Sequence, residues 1–248
     1  MTRWFSALAA IALCAASPVP HAALPRGFVY LSDVAPSIAQ DIRYAGPHNL
    51  VGRALPGYLA PVCILTQRAA LALAKAQEEL TQAGLSLRVY DCYQPQRAAN
   101  AVLVWSKNAP DERMKAEYYP RVAKSQLFAQ GYLSASSPQA RGSGVAVTLE
   151  RVGMPSPIPW RPGVHSCIAP FVQRYHDGSI DMGTNFDCMD PLSRVSQSAG
   201  SVADSHRSML AVLMEKYGFK PSGDLWWNFV LAAEPFPNTR FDFPVTAK

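Results

Sequence analysis

Four cysteines constrain how the body of this chain can fold. Cys63, Cys92, Cys167 and Cys188 follow an apolar leader that contains the fifth cysteine. An even number of cysteines in an exported chain predicts two disulfide bonds, and four cysteines allow three connectivities. We favour the pairs 63–92 and 167–188 because the members of each pair are close in sequence. Four buried free thiols are the alternative. No Cys-x-x-Cys pair of the zinc-ribbon type is present.

The leader has the order of a secretory signal. Arg3 supplies a positive start, an uncharged apolar run covers residues 4–16, and small residues lie near Ala23. We therefore predict a signal peptide over residues 1–22, a mature domain over residues 23–248, and export to the periplasm. A buried first helix is the alternative, and the prolines that follow the apolar run argue against it.

The composition is that of a globular protein rather than a disordered one. Hydrophobic residues make up 49% of the 248 residues and charged residues 17%. Removal of Arg3 with the leader lowers the net charge of +5 by one, to +4. No Lys/Arg cluster with interleaved aromatic residues is present, so we expect no nucleic-acid partner. No apolar run reaches the roughly 18 residues of a spanning helix, so we expect no membrane span.

Helical and extended patterns alternate along the mature chain. Apolar residues spaced by three and four predict helices over residues 66–83, 95–106 and from Ser201 or Asp204 to Tyr217. Strict alternation or apolar runs predict strands over residues 85–91, 144–149 and 225–231. The Pro- and Gly-rich residues 151–190 predict a long surface loop held by the second disulfide. These patterns predict an α+β fold without a nucleotide-binding glycine motif.

The residues alone identify no catalytic constellation. No two histidines have the i, i+4 spacing of a helical zinc site, and no Gly-x-Ser-x-Gly elbow is present. His165 and His176 flank Cys167 near Asp177 and Asp181, and a metal site there is one interpretation. We favour a solvated loop.

Seven segments of the mature chain nevertheless form a distinctive series. They are DIRYA (41–45), VGR-ALPGY (51–58), VYDCYQPQRA (89–98), MKAEYYPRVAKSQLF (114–128), SPQARGSGVAVTL (137–149), DMGTNFD (181–187) and LWWNFVL…EPFPNTRFDFPV (225–245). In this order they resemble the D-alanyl-D-alanine dipeptidases, VanX-type zinc peptidases related to the D,D-carboxypeptidases. The resemblance covers about residues 28–245. It implies one domain with a mainly antiparallel central sheet and flanking helices.

The resemblance also implies five chemical positions, and this chain differs from the family at each of them. The zinc-ligand positions, His, Asp and His in the family, hold Gln139, Ala146 and Asn228. The general-base position, a Glu in the family, holds Leu225, and the position of the oxyanion-stabilising Arg holds Gln94. A neutral amide is a weak zinc ligand, and alanine and leucine offer no donor. We therefore expect no catalytic residue, no bound zinc and no other cofactor.

Part of the family's substrate pocket is present. Tyr44, Ser137 and Asp187 resemble its residues, and the carboxylate of Asp187 suits the ammonium group of a ligand. A purely structural hydrogen bond is the alternative role for each of the three.

These observations predict a catalytically inactive, zinc-free relative of the family that binds D-Ala-containing cell-wall peptides or a protein partner. One alternative is an active zinc D-Ala-D-Ala dipeptidase with a metal site rebuilt from His165, His176 or His206. A purely structural or interaction protein is the other alternative.

Overall fold

The computed structural model describes residues 23–153 and 159–248. The predicted signal peptide, residues 1–22, lies outside the described residues. The strands are β1 Phe28–Tyr30, β2 Ala39–Gln40, β3 Ile64–Thr66, β4 Leu85–Asp91, β5 Gly144–Arg151, β6 Phe219–Pro221 and β7 Asn228–Leu231. The α-helices are α1 Leu31–Val34, α2 Gln67–Gln82, α3 Gln96–Ser106, α4 Lys115–Tyr118 and α5 Ser201–Lys216.

The central sheet has five strands in the order β2-β4-β5-β7-β6. The short edge strand β2 is parallel to β4, and the other neighbouring pairs are antiparallel. A separate two-stranded antiparallel sheet joins β1 and β3. This confirms the predicted α+β fold with a mainly antiparallel sheet.

Helix α2 forms because one of its faces is apolar. Ala69, Leu73, Ala76 and Leu80 recur at spacings of three and four, and all four are buried. The side chain of Thr66, the residue before this helix, does not cap the helix. The hydroxyl of Thr66 bonds instead to the Ser143 hydroxyl at 2.9 Å, which ties the helix start to the head of β5.

The predicted strand 225–231 is shorter than expected. Only Asn228–Leu231 pairs in the sheet as β7. The backbone N–H of Trp226 bonds to the Ser193 carbonyl at 3.2 Å, and Leu225 forms an isolated bridge with Arg194. Leu225 and Trp226, at the start of this segment, therefore pair with the loop that precedes α5 and not with a strand of the sheet.

Both predicted disulfides are confirmed. Cys63–Cys92 has a Cα–Cα distance of 5.4 Å, and Cys167–Cys188 has one of 5.6 Å. The second disulfide anchors the long connection between β5 and α5. That connection is not entirely a surface loop, because Asp177 lies buried and accepts a hydrogen bond from Arg43 at 3.0 Å. Within the described residues, no helix is both long and apolar enough to cross a bilayer.

Candidate active site

A cleft of about 330 Å³ lies where β4, β5 and β7 meet the loops around them. Its lining includes the three residues that the resemblance places in a substrate pocket and the five at chemical positions. They are Tyr44, Gln94, Ser137, Gln139, Ala146, Asp187, Leu225 and Asn228. The chain thus brings all the sequence-predicted positions together in one place.

A row of three side chains crosses the sheet at the cleft. Asp91 on β4 pairs with Ala146 on β5, and Ala146 pairs with Asn228 on β7. Directly opposite residues on antiparallel strands have Cβ atoms about 4.5–5.5 Å apart and share a face. All three line the cleft. The small side chain of Ala146 therefore leaves open space between Asp91 and Asn228.

An irregularity in β4 turns Asp91 toward this space. Val89 pairs with Val147 and Asp91 with Ala146, so β4 has one residue more than β5 over this stretch. Such a β-bulge changes the face on which the next side chain lies. The face of Asp91 is therefore that of Ala146 and not that of Val89.

Asp91 is a buried carboxyl group with a strongly perturbed pKa. It is 3% exposed and accepts a hydrogen bond of 2.6 Å from the hydroxyl of Tyr58. Burial raises the pKa of Asp91 to about 7, although the hydrogen bonds from Tyr58 and from the Cys92 backbone favour the ionised form. The nearby charge of Asp187 raises this pKa further. Asp91 can therefore exchange a proton near neutral pH.

Asp187 is the second buried carboxyl group of the cleft. The hydroxyl of Tyr44 donates to its Oδ1 at 2.9 Å, and the backbone N–H of Leu50 lies 3.5 Å from its Oδ2. Burial raises the pKa of Asp187 to about 6, against the opposing effects of these two hydrogen bonds and of the charge of Arg43. Its φ of 66° lies in the left-handed region, which aspartate tolerates better than most residues.

Ser137 and Gln139 lie on a short 3₁₀ turn, Pro138–Arg141, beside the sheet. The Ser137 hydroxyl accepts from the Gln139 N–H at 3.3 Å and donates to the Gln139 side-chain oxygen. A Cβ atom at Gly144 would lie 2.7 Å from the backbone nitrogen of Gln139. Only glycine therefore allows the turn to approach β5 this closely.

The residues at the family's metal positions do not fit zinc. The side-chain N–H of Gln139 donates to the Asn228 oxygen at 3.4 Å, so these two neutral amides bond to one another. Ala146 supplies no donor. Zinc sites in proteins use thiolate, imidazole and carboxylate ligands, and none is present at these positions. Across residues 23–153 and 159–248, no group of three or more His, Cys, Asp or Glu side chains could hold a metal ion.

The histidines of the alternative metal site lie outside the cleft lining. His165 Nδ1 is 3.0 Å from the Gln173 carbonyl oxygen, and His206 Nδ1 is 2.7 Å from that of Asp181. The ring of His176 packs against Phe171 at 4.5 Å. Each therefore has a local structural contact, and the three do not form a rebuilt site.

Asp91 lines the cleft, but the sequence analysis did not predict it as a site residue. The segment 85–91 alternates, and an acidic residue ends a face that otherwise carries Leu85, Leu87 and Val89. A carboxyl group at the end of an apolar face is a signal of functional burial. The bulge that brings Asp91 into the cleft leaves no such signal.

Comparison with known proteins identifies the relatives of this chain. A sequence profile described as D-ala-D-ala dipeptidase matches residues 25–159 and 163–246. A D-alanyl-D-alanine dipeptidase of Streptomyces coelicolor is 32% identical over 222 residues, which are 88% of this chain and 98% of that protein. The D-alanyl-D-alanine dipeptidase of Enterococcus faecium is 30% identical over 220 residues, with the same coverage. The vancomycin-resistance D,D-dipeptidase VanXYg, solved with a D-Ala-D-Ala phosphinate analogue, is 14% identical with a TM-score of 0.33, over 84% of this chain and 67% of that chain.

The prediction of an inactive, non-enzymatic protein is wrong on these findings. The profile and the curated relatives are those of dipeptidases, and they support the alternative reading of an active D-Ala-D-Ala dipeptidase. The cleft also retains ionisable groups, because Asp91 and Asp187 both line it.

Proposed function

Because this chain belongs to the D-alanyl-D-alanine dipeptidase family, we propose that it hydrolyses D-alanyl dipeptides in the cleft over the sheet. The observation that carries the proposal is the convergence of Tyr44, Ser137 and Asp187 on one cleft, in a chain that matches the family almost throughout. A cleft of about 330 Å³ is at the lower end of the size range of small-ligand sites, which suits a dipeptide.

Asp187 is the residue proposed to hold the ammonium group of the dipeptide. Its carboxylate is buried, and Tyr44 and the Leu50 N–H fix its orientation. An ammonium group next to a buried carboxylate stabilises the ionised form and so offsets the desolvation that raises its pKa. Ser137 lines the same cleft and offers its hydroxyl group for a second hydrogen bond.

Asp91 is the group proposed to move the proton. With a pKa of about 7, a substantial fraction is ionised at neutral pH and can accept a proton as water attacks the peptide carbonyl. The proton then passes to the leaving amine as the carbon–nitrogen bond breaks.

The amides of Gln94, Gln139 and Asn228 are neutral donors for the developing oxyanion. They stabilise it less than a cation does, so we expect turnover slower by about 10²-fold or more than with an arginine at position 94.

We further propose that no zinc is held at positions 139, 146 and 228. The mutual bond of the two amides and the lack of a donor at Ala146 support this. Zinc content of the purified protein tests it, with the triple variant Gln139→His, Ala146→Asp, Asn228→His as the matched control. The native protein should retain well under one equivalent after dialysis, and the triple variant should retain about one.

Export is also a proposal. The two disulfides, Cys63–Cys92 and Cys167–Cys188, favour an oxidising compartment. We propose that residues 1–22 are a cleaved leader, that residues 23–248 are the mature domain and that it works in the periplasm. Mass spectrometry of the exported protein should find a chain that starts near Ala23, and an intact Met1 would contradict the proposal.

The activity is tested by release of D-alanine from D-Ala-D-Ala. We expect saturable release by the native protein, a large rise in KM for Asp187→Asn and a large fall in kcat for Asp91→Asn. Asp33→Asn is the matched control, because it removes an exposed carboxylate that does not line the cleft. Equal activity of all four proteins would contradict the assigned roles, and absence of release by the native protein would contradict the proposed function.

A further inference from the structure

The charged side chains that line the described part of the cleft are acidic. Its ionisable lining residues within the described parts of the chain include Asp91, Asp187 and Asp224, and no Lys, Arg or His. Asp224 is partly neutralised by Arg194, whose Nη1 lies 3.3 Å from it. Asp91 and Asp187 have no salt-bridge partner among the described residues.

The nearest buried cation is already paired. Arg43 donates to Asp41 at 2.7 Å and to Asp177 at 3.0 Å, and it lies outside the cleft lining. It favours ionisation of Asp187 from a distance without offering a hydrogen bond to a ligand in the cleft. A negative group that enters the cleft therefore meets two carboxyl groups and no free cation of the described lining.

This excess of acidic side chains affects the two ends of a bound dipeptide differently. The amino end gains from the carboxylates, whereas a free carboxylate end loses its water and gains no opposite charge. In a dipeptide whose carboxyl end is neutral, as an amide or as a continuing peptide, the amino end still interacts with the carboxylates. Such a dipeptide avoids the cost of desolvating an unpaired carboxylate.

Gln94 supplies a group that fits such a neutral end. Its side chain lines the cleft and is 7% exposed, and its carboxamide makes no hydrogen bond to any residue that the structure describes. A carboxamide both donates and accepts, so it can pair with another amide through two hydrogen bonds. A buried polar group of this kind is expected to find a partner when the ligand is bound.

We infer that the cleft selects dipeptides with a free amino end and an uncharged carboxyl end, of which D-Ala-D-alaninamide is the simplest, over zwitterionic D-Ala-D-Ala. The inference rests on the proposed function and narrows its substrate class. Gln94 is the specificity-determining residue in this reading.

Calorimetric titration with three probes tests the inference. The probes are D-Ala-D-alaninamide, D-Ala-D-Ala and N-acetyl-D-Ala-D-Ala, which carry one positive charge, no net charge and one negative charge. Like-charge juxtaposition in a desolvated site costs several kcal/mol, so we expect the Kd of the amide to be at least about tenfold below that of the zwitterion. The acetylated peptide should bind most weakly.

Two variants at one position separate charge from hydrogen bonding. Gln94→Arg should reverse the order of the first two probes, and Gln94→Met should retain the order while weakening the amide. A native protein that binds the zwitterion as tightly as the amide overturns the inference but leaves the proposed function standing. A native protein that binds none of the three overturns both.

Discussion

Replacement of Asp91 by Asn should flatten the pH dependence of stability above pH 5. The Asp91 carboxyl has a pKa of about 7 in the folded state, against about 3.9 in an unfolded chain. The folded protein therefore holds a proton that the unfolded chain releases. The resulting stabilisation is fully present below about pH 4 and is lost as the pH rises through about 7. Between pH 5 and pH 8 the loss amounts to about 2–3 kcal/mol in the free energy of unfolding.

Urea unfolding at pH 5, 6, 7 and 8 measures this effect. The Asn variant keeps an oxygen for the Tyr58 hydroxyl but cannot ionise. Its stability should fall less between pH 5 and pH 8 than that of the native protein, by about 2–3 kcal/mol. A smaller slope should remain because the pKa of Asp187 is also raised, to about 6. Parallel pH profiles of the native protein and the variant would refute the buried, proton-holding role of Asp91.

Three further variants test the contacts that stabilise the fold around the cleft. Replacing Cys167 and Cys188 together by Ser should lower the free energy of unfolding by about 3 kcal/mol in urea melts, since the bond closes a loop with a sequence separation of 21. Gly144→Ala should lower stability by about 1–3 kcal/mol and weaken dipeptide binding, because its Cβ would overlap the 3₁₀ turn, as calorimetry would show. Arg43→Met should lower the free energy of unfolding by about 3 kcal/mol or more, because buried Asp177 loses its counter-charge, and thermal melts would detect it. Unchanged melts, or unchanged binding for Gly144→Ala, would contradict the corresponding contact.

The long elements could be predicted from side-chain periodicity. The predicted strand 85–91 coincides with β4. The predicted helix 66–83 is longer than α2 by one residue at each end, and the predicted helix 95–106 is longer than α3 by one residue at its start. Each of these elements buries one apolar face. Its apolar residues therefore recur at the period of a helix or a strand, and this period can be recognised in the sequence. The disulfide pairs were also predictable, because the two cysteines of each pair are close in sequence.

The short strands could not be predicted in this way. β1, β2 and β6 have two or three residues each, too few to show a period. Their pairing depends on partners far away in the sequence, as for Phe28 and Thr66. Whether such short segments form strands depends on their tertiary contacts and not on local sequence preference.

The position of Asp91 shows the same limit within the site. Strict alternation places it on the face of Leu87 and Val89, and the bulge moves it to the face of Ala146. The prediction of an inactive protein rested on the five substituted positions, and the family profile and the curated relatives, which are dipeptidases, contradict it. The carboxyl groups of Asp91 and Asp187 line one cleft only after residues distant in sequence have folded together.

Release of D-alanine from D-Ala-D-Ala by the purified protein, with metal content measured on the same sample, tests the central claim most directly. We expect saturable release near neutral pH that survives dialysis against a chelator and falls strongly in Asp91→Asn. No release above the uncatalysed background, together with no binding of the dipeptide, would contradict the claim that this cleft is a dipeptidase site. Release that a chelator abolishes and zinc restores would contradict the assignment of the chemistry to the cleft carboxyl groups.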